Sequence, residues 1–362
     1  MYDLSTPALV IDAEKVRRNL RRMADYVTAH HLRLRPHTKT HKSVAIGRMQ
    51  LGEGGAVGLT VAKAGEAAVM AGAGDDLLMA YPPADRRRAA AVADLARTTT
   101  VHVGLDSAAA ARTLSEAAAA AGSTVGVLVD LDVGLHRTGV QTPAASVDLA
   151  QVVGRLPGLR LGGIMFYPGH IGRTATEQVP ALAAVEALLA EALGLWARHG
   201  LRADIVSGGS TPTAYQSHLV KGVTEIRPGT YVFNDMNCVR GGCATLDECA
   251  ARIVCTVVSD AVPGQVVIDA GSKTLTSDRC GPAPDSGHGY VVEYPGAKIT
   301  KLTEEHGQVD VTGCDRAPRV GEQVTVIPNH ICPCVNLQDQ VYWQEPGELP
   351  RAMAVDARGR VF

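Results

Sequence analysis

Val125-Gly126-Val127-Leu128-Val129-Asp130-Leu131 is an apolar run of strand length that opens into a polar loop, Asp132-Val133-Gly134-Leu135-His136-Arg137-Thr138-Gly139. The Ala-rich stretch before it, Ser107 to Ala121, reads as a helix. Outward from this unit the alternation repeats. Strand-like runs lie at 32–36, 56–61, 76–80, 101–105, 161–167, 204–207 and 224–226, and helical stretches at 13–30, 63–71, 85–97 and from about 176 to 199. Strands separated by helices imply parallel βαβ units. Eight of them predict an α/β fold, a (β/α)8 TIM barrel over residues 10–235. A doubly wound sheet is the alternative, but no GxGxxG follows the first strand, which disfavours its dinucleotide-binding form.

Beyond residue 236 the texture changes. Short β-branched runs at 252–258, 265–269 and 323–327 are punctuated by turns such as Pro263-Gly264 and Val320-Gly321. They predict a mostly antiparallel C-terminal β domain over 236–362, which residues 1–9 are free to join.

Composition narrows the function. Of 362 residues 46% are hydrophobic and 20% charged, so general disorder is excluded. A net charge of −2 without a basic run argues against a nucleic-acid surface. No apolar stretch of about 18 residues stands out, so no membrane span is expected. The opening Met1-Tyr2-Asp3-Leu4-Ser5 lacks a signal-peptide core, which predicts a cytoplasmic protein. The 8 cysteines, all in the last third and with no CxxC pair, then read as free thiols or ligands.

Barrel chemistry collects at the C-terminal ends of the strands, and the polar clusters of this chain lie there. Gly208-Gly209-Ser210-Thr211 and Gly229-Thr230-Tyr231 follow the seventh and eighth strands and offer backbone N–H groups and hydroxyls. Each alone is an ordinary turn, but on adjacent strands they suit a phosphate. Lys39, in Arg35-Pro36-His37-Thr38-Lys39-Thr40-His41-Lys42, is either a solvated lysine or one whose cationic neighbours favour the neutral, Schiff-base-forming amine. A reactive lysine and a phosphate site at one barrel mouth suggest pyridoxal 5'-phosphate, PLP.

Six segments carry a resemblance. They are Ser5-Thr6-Pro7-Ala8-Leu9-Val10, the Lys39 segment, Asp130-Leu131-Asp132-Val133-Gly134 leading to Arg137 and Gly139, Ser207-Gly208-Gly209-Ser210-Thr211, Arg227-Pro228-Gly229-Thr230-Tyr231 and Asp269-Ala270-Gly271. In this order, from residue 5 to about 340, the sequence resembles the fold-type III PLP enzymes with an alanine-racemase-like barrel, and among them the D-threonine aldolase / D-serine dehydratase family. The resemblance implies that Lys39 carries the cofactor, that Arg137 and Tyr167 flank it, and that Ser210, Thr211, Gly229 and Tyr231 hold its phosphate. It also implies that Arg227 faces the pyridine nitrogen. A guanidinium does not readily give up its proton, so PLP there is a weak electron sink in need of help.

That help is expected at Pro328-Asn329-His330-Ile331-Cys332-Pro333-Cys334. A His-x-Cys pair on an extended segment shares one face and is by itself a weak metal signal, packing being its ordinary role. In the family resembled, the matching place is a divalent-metal site. The resemblance therefore assigns His330 and Cys332 as ligands, with Cys334 the competitor, and a thiolate favours zinc over manganese or magnesium. Pro168-Gly169-His170 departs from the family pattern, and Arg173 stands where the aldolases place a histidine. His170 either replaces that function or is structural.

The expectation is a PLP- and metal-dependent lyase acting on β-hydroxy-D-amino acids, by retro-aldol cleavage or dehydration, with Lys39, Tyr167 and His170 as catalytic candidates. The family also implies a homodimer with shared sites. An amino-acid racemase and a non-catalytic PLP carrier are the alternatives.

Overall fold

Strand β1 (Ala8–Asp12) runs directly into helix α1 (Ala13–Ala29). Asp12 makes the transition, its Oδ1 accepting from the Lys15 N–H at 3.0 Å. The chain continues through β2 (Arg33–Leu34), α2 (Val44–Gly52), β3 (Leu59–Val61), α3 (Ala64–Met70), β4 (Asp76–Met79), α4 (Arg86–Leu95) and β5 (Thr100–Leu105). Then come α5 (Ala108–Ala121), β6 (Val125–Asp130), α6 (Pro143–Val153), β7 (Leu159–Met165), α7 (Ala175–Arg198), β8 (Ile205–Gly208) and β9 (Glu225–Ile226). The remainder is α8 (Met236–Arg240), β10 (Ala251–Ser259), β11 (Gln265–Ile268), α9 (Ser272–Leu275), β12 (Tyr290–Val291), β13 (Lys298–Leu302), β14 (Gly307–Asp310), β15 (Gln323–Ile327), α10 (Ile331–Asn336), β16 (Gln340–Gln344) and β17 (Arg351–Ala354). This is a computed structural model, and it describes residues 3–172 and 174–362.

The chain divides into two units. The barrel unit comprises Arg21–Lys39, Ser43–Gly229 and Gly359–Phe362; the β unit comprises the chain up to Leu20, Thr40–Lys42 and Thr230–Arg358. The divisions fall inside α1 and at 229/230. Within the β unit, the Asn19 amide of α1 donates to Val232 O at 3.2 Å and Glu248 O at 2.9 Å.

In the barrel unit all eight expected strands form, in the order β2-β9-β8-β7-β6-β5-β4-β3, with every neighbouring pair parallel. The two ends of this sheet meet through a parallel bridge between His37 and Thr60, with Thr60 N donating to Pro36 O at 2.8 Å, so the sheet curls closed. Leu78, Leu128 and Met165 pack among the core residues. Caps set the helix limits. Ser107 Oγ accepts from Ala110 N at 3.3 Å, and Gly122, at φ +63°, ends α5. Two helices exceed the sequence reading. α6 had a signal, Thr142 as cap with Pro143 after it. α2 had none, because Ser43 makes no side-chain cap. α7 is 24 residues long and, by length and composition, apolar enough to cross a bilayer, contrary to the expectation of no such stretch. In the barrel unit its Leu182, Val185, Leu189 and Trp196 are buried instead.

The β unit is a mixed sheet, β13-β14-β11-β10-β1-β16-β17, with β15 pairing β10 and β12. Its pairs are antiparallel except β1 with β16, where Val10 lies opposite Tyr342. None of the eight cysteines is in a disulfide among the described residues.

Candidate active site

The turn after β2 is a single 3-10 turn, Thr38–Thr40, that presents Lys39. Thr38 Oγ1 donates to Thr60 O at 3.1 Å and Thr60 Oγ1 donates to Arg35 O at 2.7 Å, which pins the turn to β3 while Lys39 stays exposed. The expected cationic surroundings are only partly there. Arg35 is buried, its Nε donating to Glu225 at 3.0 and 3.1 Å and its Nη1 to Asp76 at 2.6 Å. Burial works against its charge, but Glu225 and Asp76 outweigh burial and hold the guanidinium above its ordinary value. That charge is neutralised within the barrel and does not bear on Lys39 as a free cation. Lys42 belongs to the β unit, with Nζ 3.5 Å from Ala357 O.

After β8 the chain turns at Gly209, φ +79°, a conformation that favours glycine. A Cβ on Gly208 would collide with the Phe166 ring. Ser210 and Thr211 are buried behind this turn. Ser210 Oγ lies 3.0 Å from Thr213 Oγ1, and Thr211 Oγ1 accepts from Gly229 N at 3.2 Å, so the loops after β8 and β9 are joined. The segments 207–213 and 227–231 contain no carboxylate. Hydroxyls and glycine N–H groups without an acid form a donor set that fits a phosphate. Tyr231 is buried and lies in the β unit, whereas Gly229 lies in the barrel unit.

The loop after β6 is built around Asp132, which accepts from Gly134 N at 3.0 Å, His136 N at 3.1 Å and His136 Nδ1 at 2.8 Å. Burial alone would raise Asp132, but these N–H donors hold it below the usual carboxylate range. The loop presents Arg137 with its guanidinium 4.9 Å from the centroid of the Tyr167 ring, so the structure brings these two candidates together. His170 is exposed and covers the same loop: a Cβ on Gly134 would lie 3.2 Å from its Cε1 and Nε2. Arg173 lies outside the described residues. Arg227 is buried, with Nη1 donating to Ser207 Oγ at 2.6 Å and Nη2 to Phe166 O at 2.8 Å.

In the β unit, the expected extended segment carrying His330 and Cys332 is corrected. His330 is extended, at φ −136°, but it is the N-cap of α10, so Cys332 stands in the first turn of a helix. Buried Asp235 fixes that start by accepting from Ile331 N at 3.1 Å. The two side chains still meet. Burial opposes the His330 charge, but the hydrogen bond and charge of Cys332 push the imidazole up to about 9. The same contact, against burial, lowers the thiol. Thr40 Oγ1 lies 3.2 Å from Cys332 Sγ and Thr230 Oγ1 3.6 Å from it. His330 Nδ1 lies 3.0 Å from Asp278 Oδ2, the outer carboxylate common behind metal-binding histidines. Asp278 was not legible in the sequence, standing 52 residues from its partner in no motif. Cys334 is buried, its Sγ 3.4 Å from Leu275 O. Among the described residues no group of three or more His, Cys, Asp or Glu side chains forms a metal site. The pair offers two donors, one fewer than the three protein ligands usual at a catalytic zinc.

The family model for the alanine racemase N-terminal domain matches residues 11–237, and that for the putative serine dehydratase domain matches 250–343. The D-threonine aldolase of Arthrobacter sp is 32% identical over 98% of this chain and 93% of its own. The D-threo-3-hydroxyaspartate dehydratase of Delftia sp. (strain HT23) is 34% identical over 92% of both chains. A D-threo-3-hydroxyaspartate dehydratase has also been solved as a cysteine-to-alanine variant in the metal-free form, with a TM-score of 0.88, 29% identity and 97% coverage of each chain. The crystal structure of D-threonine aldolase from Filomicrobium marinum superposes with a TM-score of 0.91 at 32% identity, covering 99% of this chain and 97% of that one. With both domains matched in order and relatives aligned along nearly the whole length, this chain belongs to the D-threonine aldolase / D-serine dehydratase family of PLP-dependent lyases.

Proposed function

We propose that this chain is a PLP- and divalent-metal-dependent lyase acting on β-hydroxy-D-amino acids. The observation that carries this is the His330–Cys332 pair with Asp278 behind the imidazole. PLP, when bound, supplies an electron sink at the substrate's α-carbon, and a divalent cation supplies a Lewis acid for the β-oxygen. Lys39 would anchor the cofactor and then move the α-proton. The Ser210 and Thr211 hydroxyls would hold its phosphate, with the Gly229 N–H bracing Thr211. Arg137, stacked on Tyr167, would flank the ring, and Tyr231 would join the phosphate set. Arg227 keeps its own proton, which leaves the sink weak and gives the metal its purpose. Asp278 would hold the His330 Nδ1 proton and turn Nε2 toward the cation. His170 is our assignment for the base that takes the β-hydroxyl proton in retro-aldol cleavage.

Of the two lyase reactions, the Cys332 thiol favours dehydration, with retro-aldol cleavage second. Zinc is the metal that a thiolate and an imidazole select. The deciding experiment incubates the holoenzyme with D-threonine, D-serine, D-3-hydroxyaspartate and D-phenylserine. Keto acid with ammonia indicates dehydration and aldehyde with glycine indicates cleavage. Stereochemical inversion of D-alanine with neither product overturns the lyase reading.

A further inference from the structure

Ser207, Glu225 and Arg227 are adjacent by construction. Ser207 of β8 is in register with Glu225 of β9, and Arg227, two residues beyond Glu225, returns to the same side. The Ser207 hydroxyl has one proton, and it goes to Glu225 Oε1 at 2.7 Å. Its oxygen is then an acceptor for Arg227 Nη1 at 2.6 Å, while Nη2 is held by Phe166 O at 2.8 Å. Both terminal nitrogens of the guanidinium are therefore fixed to the barrel wall.

Glu225 has a second duty besides Arg35. Arg35 already has Asp76 on both terminal nitrogens, at 2.6 and 3.2 Å. Glu225 faces both buried arginines, Arg35 directly and Arg227 through Ser207. Asp130 is the next acidic neighbour of Arg227, and burial raises its carboxyl; burial lowers His102. Burial weakens the hold of Arg227 on its proton, and Glu225 is the strongest influence restoring it.

We propose that Glu225 is a positioning residue for Arg227, acting through Ser207 to fix the orientation of the guanidinium that faces the cofactor ring. The proposal rests on the PLP reading above. It is tested with apoprotein titrated with pyridoxal 5'-phosphate, following the dissociation constant and the pH dependence of the bound cofactor's absorbance. Glu225→Gln and Ser207→Ala should each weaken cofactor binding about ten- to a hundredfold, the worth of one hydrogen bond to a charged group. They should also alter the absorbance–pH profile in the same way. The double variant should be no worse than the weaker-binding single, because both substitutions break one relay. Ser207→Ala binding within about twofold of wild type would show that the hydroxyl does not position Arg227, and effects that multiply in the double variant would show that Glu225 serves only Arg35; either result overturns the proposal. Should Glu225→Gln fail to fold, Glu225→Asp, which keeps the charge but draws the carboxylate back from Ser207, takes its place in the same titration and double-variant comparison. A wild-type chain that takes up no pyridoxal phosphate overturns the underlying reading, whereas normal uptake with unaffected variants overturns this inference alone.

Discussion

Lys39 is presented by its turn: Thr38 and Thr60 bond the backbone around it and leave the amine exposed. Lys39→Ala should therefore keep the fold while abolishing both turnover and the visible absorbance of lysine-bound cofactor. A variant that retains both would move the assignment to another lysine. The metal pair responds differently, because its contacts lie wholly within the β unit. His330→Ala or Cys332→Ala should leave cofactor absorbance in place and lower activity by orders of magnitude, and a chelator on wild type should do the same, reversibly with zinc. Cys332→Asp should shift preference toward manganese or magnesium. Asp278→Ala should weaken metal affinity about ten- to a hundredfold, read by chelator competition, because the imidazole loses the acceptor that orients it. Metal analysis that finds none bound, with activity untouched by chelation, would favour the racemase.

At the scale of elements, caps and long-range ion pairs make separable predictions. Thr142→Ala removes the α6 cap, whose Oγ1 accepts from Ala145 N at 3.1 Å, and should cost about 1 kcal/mol in denaturant unfolding with the cofactor site unchanged. Arg17 of α1 and Glu345, just after β16, form a two-pronged pair at 2.7 and 2.8 Å. That pair, with the Trp343 N–H, lowers Glu345 to about 2. A depressed carboxylate contributes stability above its ordinary pKa and loses it as the pH falls through the folded-state value. Wild type should thus lose stability between about pH 4.5 and 2, and Glu345→Gln should flatten that part of a melting-temperature profile. Equal slopes in the two proteins would show that the pair is not coupled to folding.

For the whole molecule, the candidate residues are divided between the two units. Lys39, Ser210, Thr211 and Arg227 belong to one, and Tyr231, His330 and Cys332 to the other. We propose a homodimer in which each barrel is completed by the partner's β unit. Lys39→Ala and His330→Ala chains, each inactive alone, should then regain part of the activity once mixed dimers form. Verified mixed dimers without activity would mean that each chain builds its own site.

Local pattern determined the eight barrel strands, because apolar runs between helical stretches carry their own period. It also marked the strand-end clusters around Lys39, Arg137, Ser210 and Arg227, since those loops read as polar breaks between apolar runs. The short β-branched runs of the β unit were legible for the same reason. What local pattern does not carry is pairing across the chain. Arg35 looked like a free cation until Asp76, 41 residues on, and Glu225, 190 residues on, were brought to it. Ser207 and Glu225 were visible only as strand residues, and their relay to Arg227 exists because β8 and β9 lie in register. His330 and Cys332 were named from the sequence, but on an extended segment. The helix that carries Cys332 starts there because Asp235, 96 residues earlier, accepts the Ile331 N–H. A buried charge must find a partner wherever the fold places one, and that placement is a property of the tertiary structure alone.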